Sequence, residues 1–193
     1  MFETSLFQGE QVSLTAIRPE TDAQLEARWM HDPDYFLTAR RSQPFRVQSA
    51  GQLKQAYEEE AKSAGRLTTQ YQFAIRRCAD EELVGFLRIP PVGWSNRAGA
   101  LEYRFASPAE EARFGLETLR LAQRFAFEEL NLHRLTAYAP EHLDSRVAQL
   151  LAAGFLCEAR RRQVIYRAGR LWDELVFGIL DTEWSGAKSG GAQ

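Results

Sequence analysis

Apolar residues recur at every second position in some stretches of this chain and at every third or fourth in others, and the switch between the two periods lays out its elements. Alternation over residues 11–17 predicts a first strand, and Pro19 opens a helix that runs to about Met30. HDPDYF breaks that helix at Pro33. A second helix is predicted over 49–64, with Ser49 as its cap and Gly65 as its stop. QYQFAIRR turns Tyr71, Phe73 and Ile75 inward, ADEE reverses the chain, and LVGFLRI returns as the hairpin partner. After the turn GWSNRAG, ALEYRFA places Leu101, Tyr103 and Phe105 on one face and Glu102 and Arg104 on the other. The next helix is predicted from about 113 to 130, with Phe114, Leu119, Ala122, Phe125, Ala126 and Leu130 along a buried stripe. RLTAYA is a strand, 144–153 a helix ended by Gly154, and FLCEARRRQVIY and LWDELVFGIL form a last hairpin around RAGR.

Strand, two helices, three strands in meander, then helix, strand, helix and two strands is an α/β (α+β) order. It implies a mixed sheet with helices on both faces. The 193 residues suit one domain, expected over 1–184, followed by a small, polar and glycine-rich tail, SGAKSGGAQ, expected to be flexible over 185–193. A formal charge of −2 gives no bulk electrostatic reason to bind nucleic acid or an anionic membrane. The arginine runs at 40–41, 76–77 and 160–162 read as solvated faces. The N-terminal MFETSLFQGEQ lacks the basic start and apolar run of a secretory signal, and no stretch approaches the roughly 20 apolar residues of a membrane helix. Cys78 and Cys157 are too few for a disulfide framework, and His31, His133 and His142 lack the spacing of a metal site. The expectation is a reduced, cytoplasmic, metal-free protein.

Three segments carry a resemblance: LTAIRPETDAQLEARWMHDPD, GLETLRLAQRFAFEELNLHRLTAY, and AAGF followed by YRAGRLWDELVFGIL. In their order and spacing they resemble the GNAT superfamily of acyl-CoA N-acyltransferases, RimJ/RimL-like branch, over nearly the whole chain. The resemblance implies a seven-stranded, mostly antiparallel mixed sheet whose fourth and fifth strands splay apart to admit the pantetheine of acetyl-CoA or another acyl-CoA. It also implies a pyrophosphate loop of pattern Gln/Arg-x-x-Gly-x-Gly/Ala at the start of the following helix, where outward N–H groups favour anions. Anchored on FGLETLRL, this chain departs from that pattern: Glu110 stands at the Gln/Arg position, Arg113 at the first glycine, and only Gly115 is kept. On this alignment the donor contacts fall on Phe105, Ala106, Arg113, Phe114, Gly115 and Leu116, with the backbone N–H groups of Phe105 and Ala106 polarising the thioester. Arg113 supplies charge in place of the missing glycine. Gly115 also has a packing explanation, and Glu110 and Glu111 suit a helix's first turn in their own right. A second departure puts Leu150 where the family often has a thiolate-protonating tyrosine, Arg146 at a Ser/Ala position and Leu143 at an asparagine position; a one-residue shift brings in Ser145 and Asp144.

Amine acylation needs a neutral amine, a polarised carbonyl and orientation of both. Glu102 is the candidate base, by resemblance to a strand-four glutamate; its alternative is a surface ion pair with Arg104. The candidate acceptor contacts are Trp29, Tyr35, Arg40, Tyr166 and Trp172, with Arg41, Asp173 and Tyr138 also to be considered; tryptophans such as Trp29 and Trp172 are more often core fillers than ligand contacts. The expected activity is N-acyl transfer, acetyl first, to a protein N-terminus or a small amine. The alternative is a GNAT-fold binding or regulatory protein that has lost acetyl-CoA chemistry or uses another donor. Exposed edges of such a sheet allow a homodimer, while the sequence leaves the oligomeric state open.

Overall fold

The computed structural model describes residues 6–33, 35, 46–63, 70–90 and 92–184. Arg40, Arg41 and the tail 185–193 lie outside the described residues. The strands are β1 (Val12–Thr15), β2 (Tyr71–Arg77), β3 (Leu83–Ile89), β4 (Ala98–Phe105), β5 (Arg134–Pro140), β6 (Leu156–Arg167) and β7 (Arg170–Leu180). They form one seven-stranded sheet in the order β1-β2-β3-β4-β5-β7-β6. β4 and β5 run parallel, and every other neighbouring pair is antiparallel.

Helices α1 (Pro19–Trp29) and α2 (Ala50–Ser63) cover one face of β2 and β3 through Ala23, Met30, Leu53, Tyr57, Ala74, Leu83 and Phe86. Helices α3 (Pro108–Arg124) and α4 (Asp144–Ala152) cover the other face, over a larger core that includes Leu87, Leu101, Phe105, Phe114, Leu119, Leu135, Leu150, Phe155 and Phe177. Local sequence explains the helix starts. Ser49 and Gln52 form a reciprocal capping box: the Gln52 N–H donates to Ser49 Oγ at 3.3 Å, and the Ser49 N–H to Gln52 Oε1 at 3.0 Å. Ser107 caps α3 by accepting the Glu110 N–H at 3.2 Å, with Pro108 at the first position and two acids in the first turn.

The predicted start of α3 needs correction. The helix begins at Pro108, not near Arg113, because the glycine-free stretch after Ser107 is a good helix former and no residue in it opposes αR geometry. At its other end α3 widens into a π turn over Phe125–Glu129, where the Leu130 N–H bonds to the Phe125 carbonyl at 3.1 Å. Phe114, Leu119, Ala122, Phe125 and Ala126 are buried as the periodicity implies, with Leu130 partly so.

Candidate active site

The pairing of β4 with β5 runs from Ala98↔Arg134 to Leu101↔Ala137 and stops there, although both strands continue. Past that point β4 follows β3, to Gly85↔Phe105, and β5 follows β7, to Pro140↔Glu174. The central strands therefore part into a wedge whose apex is at Leu101 and Ala137. The Ala106 N–H bonds to the Val84 carbonyl on the β3 side at 2.8 Å. Alternation along the strand then turns the backbone N–H and C=O groups of Tyr103 and Phe105 the other way, into the wedge. Of the two expected thioester donors, Phe105 points there and Ala106 is engaged with Val84.

Glu102 is the first residue beyond the apex. Its carboxylate lies on the α1 side of the sheet, is 43% exposed, and approaches Arg88 at 3.8 Å, long for an ion pair. Arg104 follows on the same face but does not pair with Glu102. It reaches Glu26 of α1 instead, with Nη2 2.9 Å and Nε 3.0 Å from Oε1. The buried Glu26 carboxylate also accepts the hydroxyl of Tyr35 at 2.8 Å and a short bond from Tyr57. Burial pushes both phenols above their ordinary pKa, so they remain donors to the carboxylate. The Arg104 guanidinium lies 4.5 Å from the Phe86 ring centroid, and Trp29 packs edge-on to both Tyr35 and Phe86. Trp29 and Tyr35 are thus brought together beside the free half of β4, chiefly as packing and as an anchor for Arg104.

On the α3 side, Arg146 of α4 crosses to Glu111 in a buried two-pronged pair, 2.6 Å from Nε to Oε1 and 2.8 Å from Nη2 to Oε2. Its guanidinium stacks 4.5 Å from the Tyr103 ring centroid. Gln149 donates to the Glu111 carbonyl at 2.7 Å. A Cβ on Gly115 would fall 2.1 Å from Gln149 Oε1, so α3 and α4 meet closely here and an added side chain would displace the Gln149 amide. Phe114 is a core side chain, and Arg113 is exposed, with its guanidinium 4.8 Å from the Phe114 ring. Arg113, Phe114, Gly115 and Leu116 all lie past the first turn of α3, where N–H groups bond four residues back. In the first turn, Pro108 has no N–H, and those of Glu110 and Glu111 go to the Ser107 side chain and carbonyl. The wedge leaves the outer half of β4 unpaired by β5, and the start of α3 carries no glycine before Gly115.

Tyr166 is 70% exposed, and Trp172 is half-buried. Ile165 pairs with Trp172 and Tyr166 with Leu171, so the two aromatic candidates fall on opposite faces of the β6–β7 hairpin. Asp173 is held by Arg160 at 3.0 Å and by the Gln163 N–H at 2.9 Å, and these bonds keep its carboxyl below the usual range. His133, at the start of β5, bonds to Asp181 at 3.0 Å. Sequence reasoning missed Glu26, Glu111 and the pairing of Arg146. One signal was present: Asp22 and Glu26 stand four apart on the inward face of α1, where an amphipathic helix otherwise places apolar residues.

A splayed parallel pair at the centre of an otherwise antiparallel sheet, with an acid at its apex, agrees with what comparison with known proteins finds. The acetyltransferase (GNAT) domain family matches residues 11–155, and the chain belongs to that family. A curated relative, "Putative ribosomal N-acetyltransferase YdaF" of Bacillus subtilis (strain 168), is 28% identical over 109 residues; the match spans 56% of this chain and 60% of that protein's length. Among solved structures, a "Probable acetyltransferase" superposes with a TM-score of 0.77 at 21% identity, covering 95% of this chain and 99% of its own. The spermidine N-acetyltransferase of Vibrio cholerae, solved in complex with CoA and spermine, superposes with a TM-score of 0.74 at 16% identity, covering 91% and 98%. Among the described residues no helix is long and apolar enough to cross a membrane.

Proposed function

We propose that this protein is an acyl-CoA-dependent N-acyltransferase that moves an acetyl group to a primary amine, either a protein N-terminus or a small metabolite. The observation that carries it is the wedge: β4 and β5 part at Leu101 and Ala137 while Tyr103 and Phe105 keep backbone groups directed into the gap. In this reading Glu102, exposed at the apex, takes the proton from the attacking ammonium, and the Phe105 N–H polarises the thioester carbonyl. Arg113, on the exposed side of α3, is the cation available to a phosphate there.

The experiment is thiol release from acetyl-CoA with a panel of amines. Glu102→Gln is expected to lower kcat by about 10²–10⁴-fold without weakening acetyl-CoA binding. Turnover unaffected by that change removes Glu102 from the mechanism. A second reading, a GNAT-fold regulatory protein without acetyl-CoA chemistry, is favoured by one observation: the helical first turn of α3, where the Glu110 and Glu111 N–H groups are already taken by Ser107. Absence of any heat or thermal shift with millimolar acetyl-CoA selects that reading.

A further inference from the structure

The β6–β7 hairpin turns through Ala168 and Gly169, both at positive φ (50° and 75°), which matches the twist of its strands and leaves Arg167 and Arg170 paired across the turn. β5 ends at Pro140, opposite Glu174, so the outer part of the hairpin projects past the open end of the wedge. Four side chains meet on this projection and the loop beneath it. The rings of Trp172 and His142 lie 4.7 Å apart, and the Arg170 guanidinium sits 3.7 Å from the Trp172 ring centroid. Arg167 Nη1 lies 3.2 Å from His142 Nε2. A guanidinium can only donate, so Nε2 is the acceptor and the proton of the neutral imidazole is on Nδ1. Burial, and the Arg167 charge after it, hold His142 below its ordinary pKa, in keeping with a neutral ring.

Two buried donors result, His142 Nδ1–H and Trp172 Nε1–H, and neither has an acceptor among the described residues. Native proteins seldom leave such groups unmatched. The neighbouring acids are already used: Arg160 holds Glu141 and Asp173, and Arg161 holds Glu174. Asp144 is exposed at the start of α4. Two unmatched N–H donors beside the Arg170 guanidinium ask for an anion with paired oxygens.

We propose that His142, Trp172 and Arg170, with Arg167 fixing the His142 tautomer, form a carboxylate-recognition subsite, so that the acceptor amine is one that carries an acid group. This rests on the acyltransferase reading. Trp172 is five residues along β7 from Phe177, the partner of Ala137 at the apex, or roughly 16 Å at the rise of a strand. An acidic side chain a few residues from a peptide N-terminus spans that distance, and a small amino acid bound nearer the hairpin reaches part of it. A polyamine, cationic along its length, meets the Arg170 guanidinium instead.

The test has a binding arm and a transfer arm. In the first, the indole N–H resonances of ¹⁵N-labelled protein are followed during titration with glutarate, Trp172→Phe identifying the relevant peak. A saturable shift of that peak is expected, weakened about tenfold by Arg170→Gln and absent with spermidine. In the second, acetyl-CoA thiol release compares γ-aminobutyrate with butylamine, and Ala-Ala-Glu-Glu with Ala-Ala-Lys-Lys. The acidic member of at least one pair is expected to lead in kcat/KM by about tenfold, and Arg170→Gln to erase the lead. The pair that shows it tells a small acid from an acidic N-terminal segment. An unmoved Trp172 resonance, or equal rates within both pairs, overturns the subsite even if acetyl transfer is robust. A glutarate shift without transfer to any amine supports the subsite and rejects the acyltransferase reading instead.

Discussion

Replacing Glu26 by glutamine keeps the shape of the side chain and removes its charge, leaving the mostly buried Arg104 guanidinium without a counter-ion. The carboxylate gathers four donors in the native protein: Tyr35, Tyr57 and two nitrogens of Arg104. Breaking a buried pair from one side typically costs about 3–5 kcal/mol, because the remaining charge is stranded away from water. Against a total stability of about 5–15 kcal/mol, this is a large fraction. For a chain of this length it corresponds to a fall in Tm of roughly 6–20 °C. Arg104→Met alone should cost less, since it leaves Glu26 with two hydroxyl donors and puts an apolar chain against Phe86. The double variant Glu26→Gln/Arg104→Met is expected within about 1–2 kcal/mol of the native protein. Equilibrium urea unfolding of the four proteins gives the coupling directly. A coupling energy below about 1 kcal/mol would falsify the claim that this pair ties the free half of β4 to α1.

Burial pushes the phenols of Tyr35, Tyr57 and Tyr103 above their ordinary value, so above pH of about 10 the unfolded chain loses protons that the folded one keeps. Their contribution is complete below that pH, and stability should fall above it by about 4 kcal/mol per pH unit for the three together. Tyr103→Phe, which deletes a hydroxyl with no partner among the described residues, should lessen that slope by about a third at little cost near neutrality; an unchanged slope contradicts the burial argument. Gly85→Ala places a Cβ 2.4 Å from the Arg104 carbonyl oxygen, a backbone atom that cannot step aside, and a loss of about 2–3 kcal/mol is expected in thermal or urea unfolding. Ser107→Ala removes the cap of α3 and should cost about 1 kcal/mol by the same measurement; no loss would mean that the helix start is stabilised by something other than its cap.

The strands and the order of the helices were legible because burial imposes a period on the sequence, and the structure places all seven strands where that period changes. The start of α3 was misplaced by expecting a phosphate loop at 110–115. Read locally, Ser107, Pro108, Glu110 and Glu111 are a cap, a first-turn proline and two acids that favour a helix N-terminus, a signal that needs no family pattern. Arg76, Arg104 and Arg146 were less legible. Each satisfies a carboxylate far away in sequence: Asp22 for Arg76, Glu26 for Arg104 and Glu111 for Arg146. A binary pattern scores such residues as polar and therefore exposed, because pairing across 35 to 78 positions leaves no local trace. The apex acid Glu102 was placed on its face by simple alternation, whereas the interrupted pairing behind it depends on where β3 and β7 draw their neighbours, which only the assembled sheet reveals.

The projecting part of the β6–β7 hairpin behaves as a cantilever. Its root is bonded along β5, while the contacts of its outer third include the corner at Glu141, the Arg167–His142 bond and the neighbouring rings of His142 and Trp172. Amide exchange should therefore step from slow to fast on passing outward from Glu174, and whatever docks against the rings will stiffen the whole beam rather than one residue.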